Sequence, residues 1–298
     1  MVYTAFPQFN LHPSVRFADY FLFAITCDSK AAAWVSEALY ILFLFTKSDI
    51  LTVLLPSLTF STIAAGDLCA THIVGRLLWI WLNLLQFCVS NQTVSMAEDE
   101  LNKPWRPLPA GHLTIGNARR LRWMLIPLSL MVSKGVGRLT LQCSAALVLA
   151  TLAHNELFLG SHWLSRNALN AIGYVAFNMG ATSISCRQAT ATSSPHQLVH
   201  FFNSAVIFTT IHAQDFKDIH GDRNIGRLTL PLAYPVASRL IVAVAVPIWS
   251  LWLAYHWQSA AVFRAVFLLF GSYVGARFGA WRTVNEDRAS YRAYNVSE

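Results

Sequence analysis

The sequence predicts an all-α protein, a multi-span transmembrane helical bundle of about eight to nine helices. Two observations lead to this class. Of the 298 residues, 55% are hydrophobic and 12% are charged, which is roughly half the charge of a soluble domain. The apolar residues also gather in segments of the length that a helix needs to cross a bilayer. A chain with so little charge could not cover its core with a wetted surface, so a lipid bilayer is the expected partner.

The apolar segments give the elements in chain order. Eight of them have the length and composition of a transmembrane helix, and short polar segments or Pro, Gly and Ser separate or interrupt them. These spans are 50–66, 71–91, 118–136, 138–157, 168–187, 199–214, 234–256 and 260–280. A further segment at 34–46 is either a ninth span or a helix in the membrane interface. We expect an N-terminal segment (1–45), one transmembrane domain (46–285) and a C-terminal tail (286–298).

The positive charges indicate an orientation. The net charge of +7 comes from short polar segments rather than one basic run, which argues against nucleic-acid binding. The richer side carries Lys103, Arg106, Arg119, Arg120, Arg166, Lys217, Arg223, Arg227, Arg282, Arg288 and Arg292. The opposite loops carry little beyond Lys134, Arg138, Arg187 and Arg264. By the positive-inside rule the richer side faces the cytoplasm, and we expect a protein of the endoplasmic reticulum or another endomembrane.

Two polar stretches interrupt the apolar pattern. Residues 91–111 read NQTVSMAEDELNKPWRPLPAG, and residues 214–232 read QDFKDIHGDRNIGRLTLPL. Asp215, Asp218 and Asp222 stand at i, i+3 and i+7, so a helix would put all three on one face. In the first stretch the side chains at i, i+4 and i+8 likewise share a face: Asn91, Ser95 and Asp99. Four predicted spans separate the stretches, and an even number returns the chain to the same side, so we expect both to meet at one mouth.

Acids beside Lys and Arg at a membrane mouth suit one chemistry in particular. Mg²⁺ prefers hard oxygen ligands and usually takes one or two carboxylates plus substrate phosphates, while Lys and Arg donate charge-assisted hydrogen bonds to phosphate. The arrangement would hold a diphosphate at the membrane face, with its hydrocarbon tail among the helices. Two other interpretations are solvated loops whose charges set topology, and a transporter. A transporter would place ionisable groups near mid-span, whereas these acids lie at span ends and in loops.

Over about residues 45–280 the chain resembles the UbiA superfamily of membrane prenyltransferases. The family's second motif, DxxDxxxD followed by G-[KR]-x-T, is matched in full by Asp215, Asp218, Asp222, Gly226, Arg227 and Thr229. An Arg-Pro segment after the first motif is matched by Arg106, Pro107 and Gly111. The first motif, NDxxDxxxD in the family, keeps Asn91 and Asp99 but has Gln92 and Ser95 in place of the inner acids. This form looks like a divergent branch found among fungal relatives.

The resemblance implies that Mg²⁺ is the cofactor and that a prenyl diphosphate is the substrate, ionised to an allylic cation. It implies two metal ligand sets, Asn91 with Asp99 and Asp215 with Asp218 and Asp222, and the four aspartates are the catalytic candidates. The cations expected to bind the diphosphate are Lys103, Arg106, Lys217 and Arg223. Glu98 and Glu100 are candidates to replace the charge that the first motif lacks.

The group that captures the allylic cation decides the product. Aromatic faces stabilise a cation, and the expected pocket walls are Trp79, Trp81, Tyr174 and Phe177. The prediction is transfer to a small aromatic, phenolic acceptor in fungal secondary metabolism, because transfer is the commoner reaction of the superfamily. Lys47, Ser48 and Asp49, at the head of the first span, are the candidate acceptor contacts. The alternative is a terpene cyclase, in which double bonds of the tail attack the cation.

Overall fold

The computed structural model describes residues 28–185, 194–256 and 260–297, and nearly all of these residues lie in helices. The long helices are α1 (Asp28–Thr46), α2 (Leu55–Ala65), α3 (Ala70–Val94), α5 (Ile115–Val136), α6 (Arg138–Asn155), α7 (Trp163–Thr182), α8 (Ser194–Thr210), α11 (Pro235–His256), α12 (Ala261–Ala280) and α13 (Val284–Ser297). Short helices occupy the polar segments between them: α4 (Met96–Asn102), α9 (Ile219–Asn224) and α10 (Leu230–Ala233). The predicted all-α bundle is confirmed.

Within the described ranges, four helical segments are long and apolar enough to cross a membrane. They are Ala32–Ala65, Ala70–Val94, Pro235–His256 and Ala261–Ala280. The remaining predicted spans coincide with α5 to α8, although the last two residues of the span 168–187 lie outside the described residues. These helices are more polar because they bury side chains such as Asn167 and Asn178 of α7 against their neighbours. Their polar faces therefore point into the bundle.

The first helical segment differs from its prediction. The segments 34–46 and 50–66 are one continuous helical stretch, because a 3-10 turn at Lys47–Asp49 and a π-helical turn at Ile50–Leu54 join α1 to α2. A proline lies in the first turn of α2, where its missing N–H is tolerated. Where the winding changes, four side chains line a cavity: Ser48, Asp49, Thr52 and Val53.

Hydrogen bonds between side chains tie α3 to α6. The hydroxyl of Ser144 donates to Asn83 Oδ1 at 2.6 Å, and Asn155 Nδ2 donates to Ser90 Oγ at 3.0 Å. All four side chains are buried. In lipid there is no hydrophobic drive to bring two helices together, so such bonds and close packing hold them.

Small residues allow close helix contacts at two places. A Cβ on Gly180 of α7 would overlap the Trp79 ring of α3, and a Cβ on Gly271 of α12 would overlap Ser250 of α11. Trp79 also donates its indole N–H to Ser133 Oγ at 2.8 Å. These contacts pack α3 against α5 and α7, and α11 against α12.

The C-terminal helix α13 packs back onto the bundle. Arg239 of α11 donates to both carboxylate oxygens of Asp287 at 2.9 Å each, and the Tyr294 hydroxyl meets Thr210 at 2.8 Å. The segment 286–298, set apart as a tail in the sequence, lies mostly within this helix. Of the N-terminal segment 1–45, residues 28–45 lie in α1 and the rest lies outside the described residues.

Candidate active site

The two polar stretches meet around a polar cavity of about 270 Å³. Arg227 from the second stretch reaches Glu98 from the first, with Nη2 3.2 Å from Oε2. Nearby, a Cβ on Gly221 would overlap the Asn102 amide, so α9 lies directly against α4. Residues far apart in sequence thus form one wall, as the parity of the spans predicts.

On the side of the first stretch, Arg106 organises the charged groups. Its Nη1 donates to Asp99 Oδ1 at 2.7 Å and its Nη2 to Ser48 Oγ at 3.0 Å. Ser48 in turn donates to Asp49 Oδ2 at 2.8 Å. Asp99 lies in the short helix α4, which follows α3 after a break at Ser95. The result is a chain of hydrogen bonds from the first helical stretch to α4.

The altered residues of the first motif have visible partners. Gln92 is buried, and its Nε2 donates to the backbone carbonyl of Phe45 at 2.8 Å. An ionised carboxylate has no hydrogen to donate, so an aspartate could not make this contact. The Ser95 hydroxyl donates to the Asn91 carbonyl at 2.9 Å. Where the family motif has acids, this chain therefore has groups that donate to backbone carbonyls, Gln92 to α1 and Ser95 to its own helix.

The second stretch differs from the single helix face that its spacing predicts. Residues Ile211–Asp218 wind as a 3-10 helix, in which side chains three residues apart line up, and Asp222 lies in the α-helical α9 that follows. Each acid meets a different cation. Asp215 accepts from Arg166 at 3.2 Å, Asp218 from Lys217 at 2.5 Å, and Asp222 from Arg227 at 2.9 Å.

Three buried carboxylates present one oxygen each with no partner. Asp99 Oδ2, Asp215 Oδ2 and Asp222 Oδ2 have no hydrogen-bond partner among the residues that the structure describes. Over the same residues, no three His, Cys, Asp or Glu side chains are grouped closely enough to cage a metal ion. Mg²⁺ does not need such a cage, because it takes one or two carboxylates and completes its shell with waters and phosphate oxygens. The donor set therefore fits Mg²⁺ bound together with a diphosphate.

Burial shifts the ionisation of the acids at the mouth. Desolvation, with a smaller contribution from the charge of Asp215, raises the pKa of Asp222 to about 6 against the opposing effect of Arg166 and Arg227. Desolvation also raises the pKa of Asp99, although Arg106 opposes it. Strongly perturbed acids in a cleft are typical of functional sites. A bound cation would favour the charged form of both groups.

The cavity wall holds most of the predicted site residues. It includes the polar candidates Asp49, Asn91, Asp99, Lys103, Arg106, Lys217, Asp218 and Asp222. Asp215 lies behind Arg166, buried, while Arg223 is exposed and lies outside the wall. Lys47 is exposed, with its ammonium 4.8 Å from the centre of the Trp105 ring. Of these candidates, Asp215, Arg223 and Lys47 therefore do not line the cavity.

Two further cations on the wall, Arg166 and Arg227, are not among the residues that the sequence predicts to bind the diphosphate. Arg227 belongs to the G-[KR]-x-T pattern, so the sequence carried a signal for it. Arg166 is drawn into the site by Asp215, a contact that depends on how α7 packs. Together with Lys103, Arg106 and Lys217 they give the wall five cations, which face five acids on the same wall: Asp49, Glu98, Asp99, Asp218 and Asp222.

A smaller apolar cavity of about 70 Å³ adjoins the polar one. The two share the wall residues Val53, Phe87, His154, Asn170 and Tyr174. Tyr174 is held in place because its hydroxyl donates to the Thr52 carbonyl at 2.6 Å, and Phe177 also lines the apolar cavity.

Two of the aromatic residues predicted as pocket walls lie elsewhere. Trp79 packs against Gly180 in the core, and Trp81 donates to Thr46 Oγ1 at 3.2 Å. Phe87 lines both cavities instead.

Relatives and solved structures match this architecture. A family model described as the UbiA prenyltransferase family matches residues 20–296. The chain is 34% identical to the fumagillin beta-trans-bergamotene synthase af520 of Aspergillus fumigatus, over 74% of this chain and 76% of that protein. It is 31% identical to the diterpene cyclase eriG of Hericium erinaceus over 76% of each chain. It is 28% identical to the polyprenyl transferase eriF of the same fungus, over 70% of this chain and 74% of that protein.

The fold is shared with a solved UbiA homolog from Archaeoglobus fulgidus bound to DMAPP and Mg²⁺. That structure aligns with a TM-score of 0.66 at 14% sequence identity, over 86% of this chain and 96% of the other. At this identity the likeness shows the fold alone. The family model, by contrast, covers nearly the whole chain. The chain therefore belongs to the UbiA prenyltransferase family.

Proposed function

We propose that this protein is a membrane-embedded, Mg²⁺-dependent terpene cyclase that ionises a prenyl diphosphate and lets the tail close on itself. The observation that carries the proposal is the pairing of the two cavities. A polar mouth that carries both cations and acids, with unpaired carboxylate oxygens among the described residues, adjoins an apolar pocket walled by Phe87, Tyr174 and Phe177. A diphosphate head and an isoprenoid tail need these two environments side by side.

The cations of the mouth would bind and orient the diphosphate. Arg106 and Arg227 each offer a planar fork of donors, and Lys103 and Lys217 add point charges. Charge that develops on the departing diphosphate is stabilised by groups already in position, without reorganisation. Mg²⁺, held by Asp99, Asp218 and Asp222 with the diphosphate oxygens, would supply further neutralisation of the leaving group. Asp215 supports this arrangement by holding Arg166.

Cyclisation is favoured over transfer because the residues expected to hold an acceptor have other partners. Ser48 and Asp49 are engaged with each other and with Arg106. Lys47 lies against Trp105. The apolar cavity contributes mainly carbon atoms, which leave an allylic cation to react with the double bonds of its own tail. The similarity to a bergamotene synthase and to a diterpene cyclase supports the same conclusion.

Transfer to a small aromatic acceptor is the second candidate. Asp49 lines the polar cavity, and its carboxylate could accept a hydrogen bond from a phenol if Ser48 released it. The similarity to a polyprenyl transferase supports this possibility. Both reactions begin with the same ionisation, so the two candidates differ in what captures the cation.

Product analysis distinguishes the candidates. The purified full chain, in lipid nanodiscs with Mg²⁺, is incubated with geranyl, farnesyl or geranylgeranyl diphosphate, with and without hydroxybenzoate as a phenolic acceptor. A hydrocarbon formed in the absence of acceptor supports cyclisation, and an acceptor-dependent prenylated aromatic supports transfer. If no diphosphate is released from any of the three substrates, both candidate reactions are contradicted.

We also propose that the mouth faces the cytoplasm in an endomembrane, on the basis of the distribution of positive charge. Single cysteines introduced at Lys103 and at Arg223, in a background without the native cysteines, should react with a membrane-impermeant maleimide from the cytoplasmic side of sealed vesicles. Labelling from the lumenal side would show that the mouth has the opposite orientation.

A further inference from the structure

His154 stands where the two cavities join, and the proposed ionisation leaves it without a role. It lies near the end of α6, and its ring lines both the polar and the apolar cavity. Phe87 stands edge-on to it, with ring centroids 6.3 Å apart. A histidine here would touch the prenyl tail rather than the diphosphate alone. An imidazole in contact with a carbocation is a base within reach of its hydrogens.

Neighbouring side chains determine which nitrogen can accept a proton. Asn155 Nδ2 donates to Ser90 Oγ at 3.0 Å, so Asn155 presents its Oδ1 to His154 Nδ1, 2.9 Å away. An amide oxygen only accepts, so Nδ1 must carry the hydrogen and Nε2 must carry the lone pair. A chain of two hydrogen bonds from α3 therefore fixes the tautomer of the imidazole.

Among the residues that the structure describes, the lone pair on Nε2 has one weak hydrogen-bond partner. Arg166 Nη1 lies 3.5 Å from it, longer than an ordinary N–H···N contact. The other end of the same guanidinium is held by Asp215 at 3.2 Å. A diphosphate at the mouth would compete for Nη1 and leave Nε2 open to the tail. The negative charges of the diphosphate and Asp215 would also offset the repulsion between Arg166 and an imidazolium.

The ring is also held by packing. A Cβ on Gly160 would overlap the Cε1 and Nε2 atoms of His154. Because Gly160 is not at a positive φ, alanine could adopt its backbone conformation. The added methyl group would then act by displacing the imidazole.

We propose that His154 Nε2 accepts the proton that ends the cyclisation; this inference rests on the proposed function above. A C–H bond on a carbon next to the last cationic centre breaks, and its electron pair becomes the C=C bond of the product. The proton passes to Nε2, which gives a neutral olefin and an imidazolium. The imidazolium returns the proton to the released diphosphate or to water.

The test compares His154→Gln and His154→Ala with the wild-type protein, using the three prenyl diphosphates above with Mg²⁺. Diphosphate release reports ionisation, and gas chromatography with mass spectrometry reports the products. Loss of a positioned base slows the proton transfer by about 10²–10⁴-fold, so the main olefin should give way to alcohols and differently placed double bonds. Ionisation precedes this step, so release should stay within about threefold of wild type. His162→Gln, at an exposed histidine, is the control and should leave the product profile unchanged.

Gly160→Ala provides a second route to the same answer, since it keeps the imidazole but moves it. We expect its product profile to shift in the same direction as that of His154→Gln, with the protein monodisperse and its release of diphosphate retained. An unchanged product profile in the His154 variants would overturn the inference. A parallel fall in release and olefin would also overturn it, because His154 would then serve structure or ionisation. If wild type releases diphosphate only with transfer to the phenol, the cyclase proposal itself fails.

Discussion

Arg227 should control the pH at which the site binds Mg²⁺. Its Nη1 lies 2.9 Å from Asp222 Oδ1, and the Asp222 side chain is 1% exposed. The pKa of Asp222 is raised to about 6, chiefly by burial, while Arg227 works against that rise. Arg227→Gln removes the cation but leaves Arg166 in place. The carboxyl should then become harder to ionise.

The size of the effect follows from the pKa. With a pKa of about 6, roughly nine-tenths of Asp222 is ionised at pH 7. Loss of an adjacent cation raises a carboxyl pKa by about 1–3, so the variant value should lie near 8 and the ionised fraction near one-tenth. A metal binds the deprotonated group in competition with the proton. The apparent Mg²⁺ affinity should therefore fall about tenfold at pH 7 and recover by about pH 9. For wild type the affinity should fall as the pH drops below about 6.

The assay is a Mg²⁺ titration of diphosphate release at several pH values between 5.5 and about 9, a range chosen to bracket the pKa of Asp222. Arg227→Lys is the matched control, because it keeps the charge and should keep the wild-type pH dependence. A loss of activity that is the same at every pH would reflect the direct contact of Arg227 with diphosphate. If the Mg²⁺ affinity of Arg227→Gln followed the same pH curve as wild type, the reasoning about Asp222 would be refuted.

Three further outcomes are expected. Asp99→Asn should reduce diphosphate release far more than Ser95→Ala. The first variant removes a carboxylate that can bind Mg²⁺, whereas the second removes a hydroxyl that is bonded to the backbone. Comparable losses in the two variants would contradict the assignment of Asp99 as a metal ligand. Gly180→Ala should destabilise the fold by about 1–3 kcal/mol, because the added methyl group overlaps Trp79. Its unfolding temperature should lie below that of Gly135→Ala, a control at a site with open space. Equal unfolding temperatures for the two variants would contradict the packing described for Gly180. EDTA should abolish diphosphate release and added Mg²⁺ restore it, and activity that persists in chelator would remove the metal from the proposal.

The proximity of the two motif stretches could be predicted from the sequence, because it depends only on the number of spans between them. Two polar stretches on the same side of a bundle are expected to lie close together. The ion pair between Arg227 and Glu98 shows that they do. The motif pattern also included Arg227, which proves to be a wall residue. Residue type and spacing carry this much information.

Other features depend on helix rotation and winding, which spacing does not reveal. Asp215, Asp218 and Asp222 fit one α-helical face in sequence. In the structure the chain changes from a 3-10 helix, which holds the first two, to α9, which holds Asp222, and each acid has its own cation. Trp79 and Tyr174 look equivalent as aromatic residues in apolar segments. The close packing at Gly180 turns Trp79 into the core, while Tyr174 reaches the cavity.

The π-helical turn at Ile50–Leu54 gives the first helical stretch an unusual tolerance to a change in length. A π turn holds one residue more than an α turn, so the wide turn takes up the extra residue and leaves α2 facing the same neighbours. A deletion within an ordinary α-helix would rotate everything beyond it by about 100°. Deleting one residue of the π turn would instead let the stretch wind as a plain α-helix, with α2 and Asp49 in place. The change would be confined to the turn itself, where Thr52 and Val53 line the cavity. One codon lost at this point would thus alter the wall of the pocket without disturbing the packing of α2.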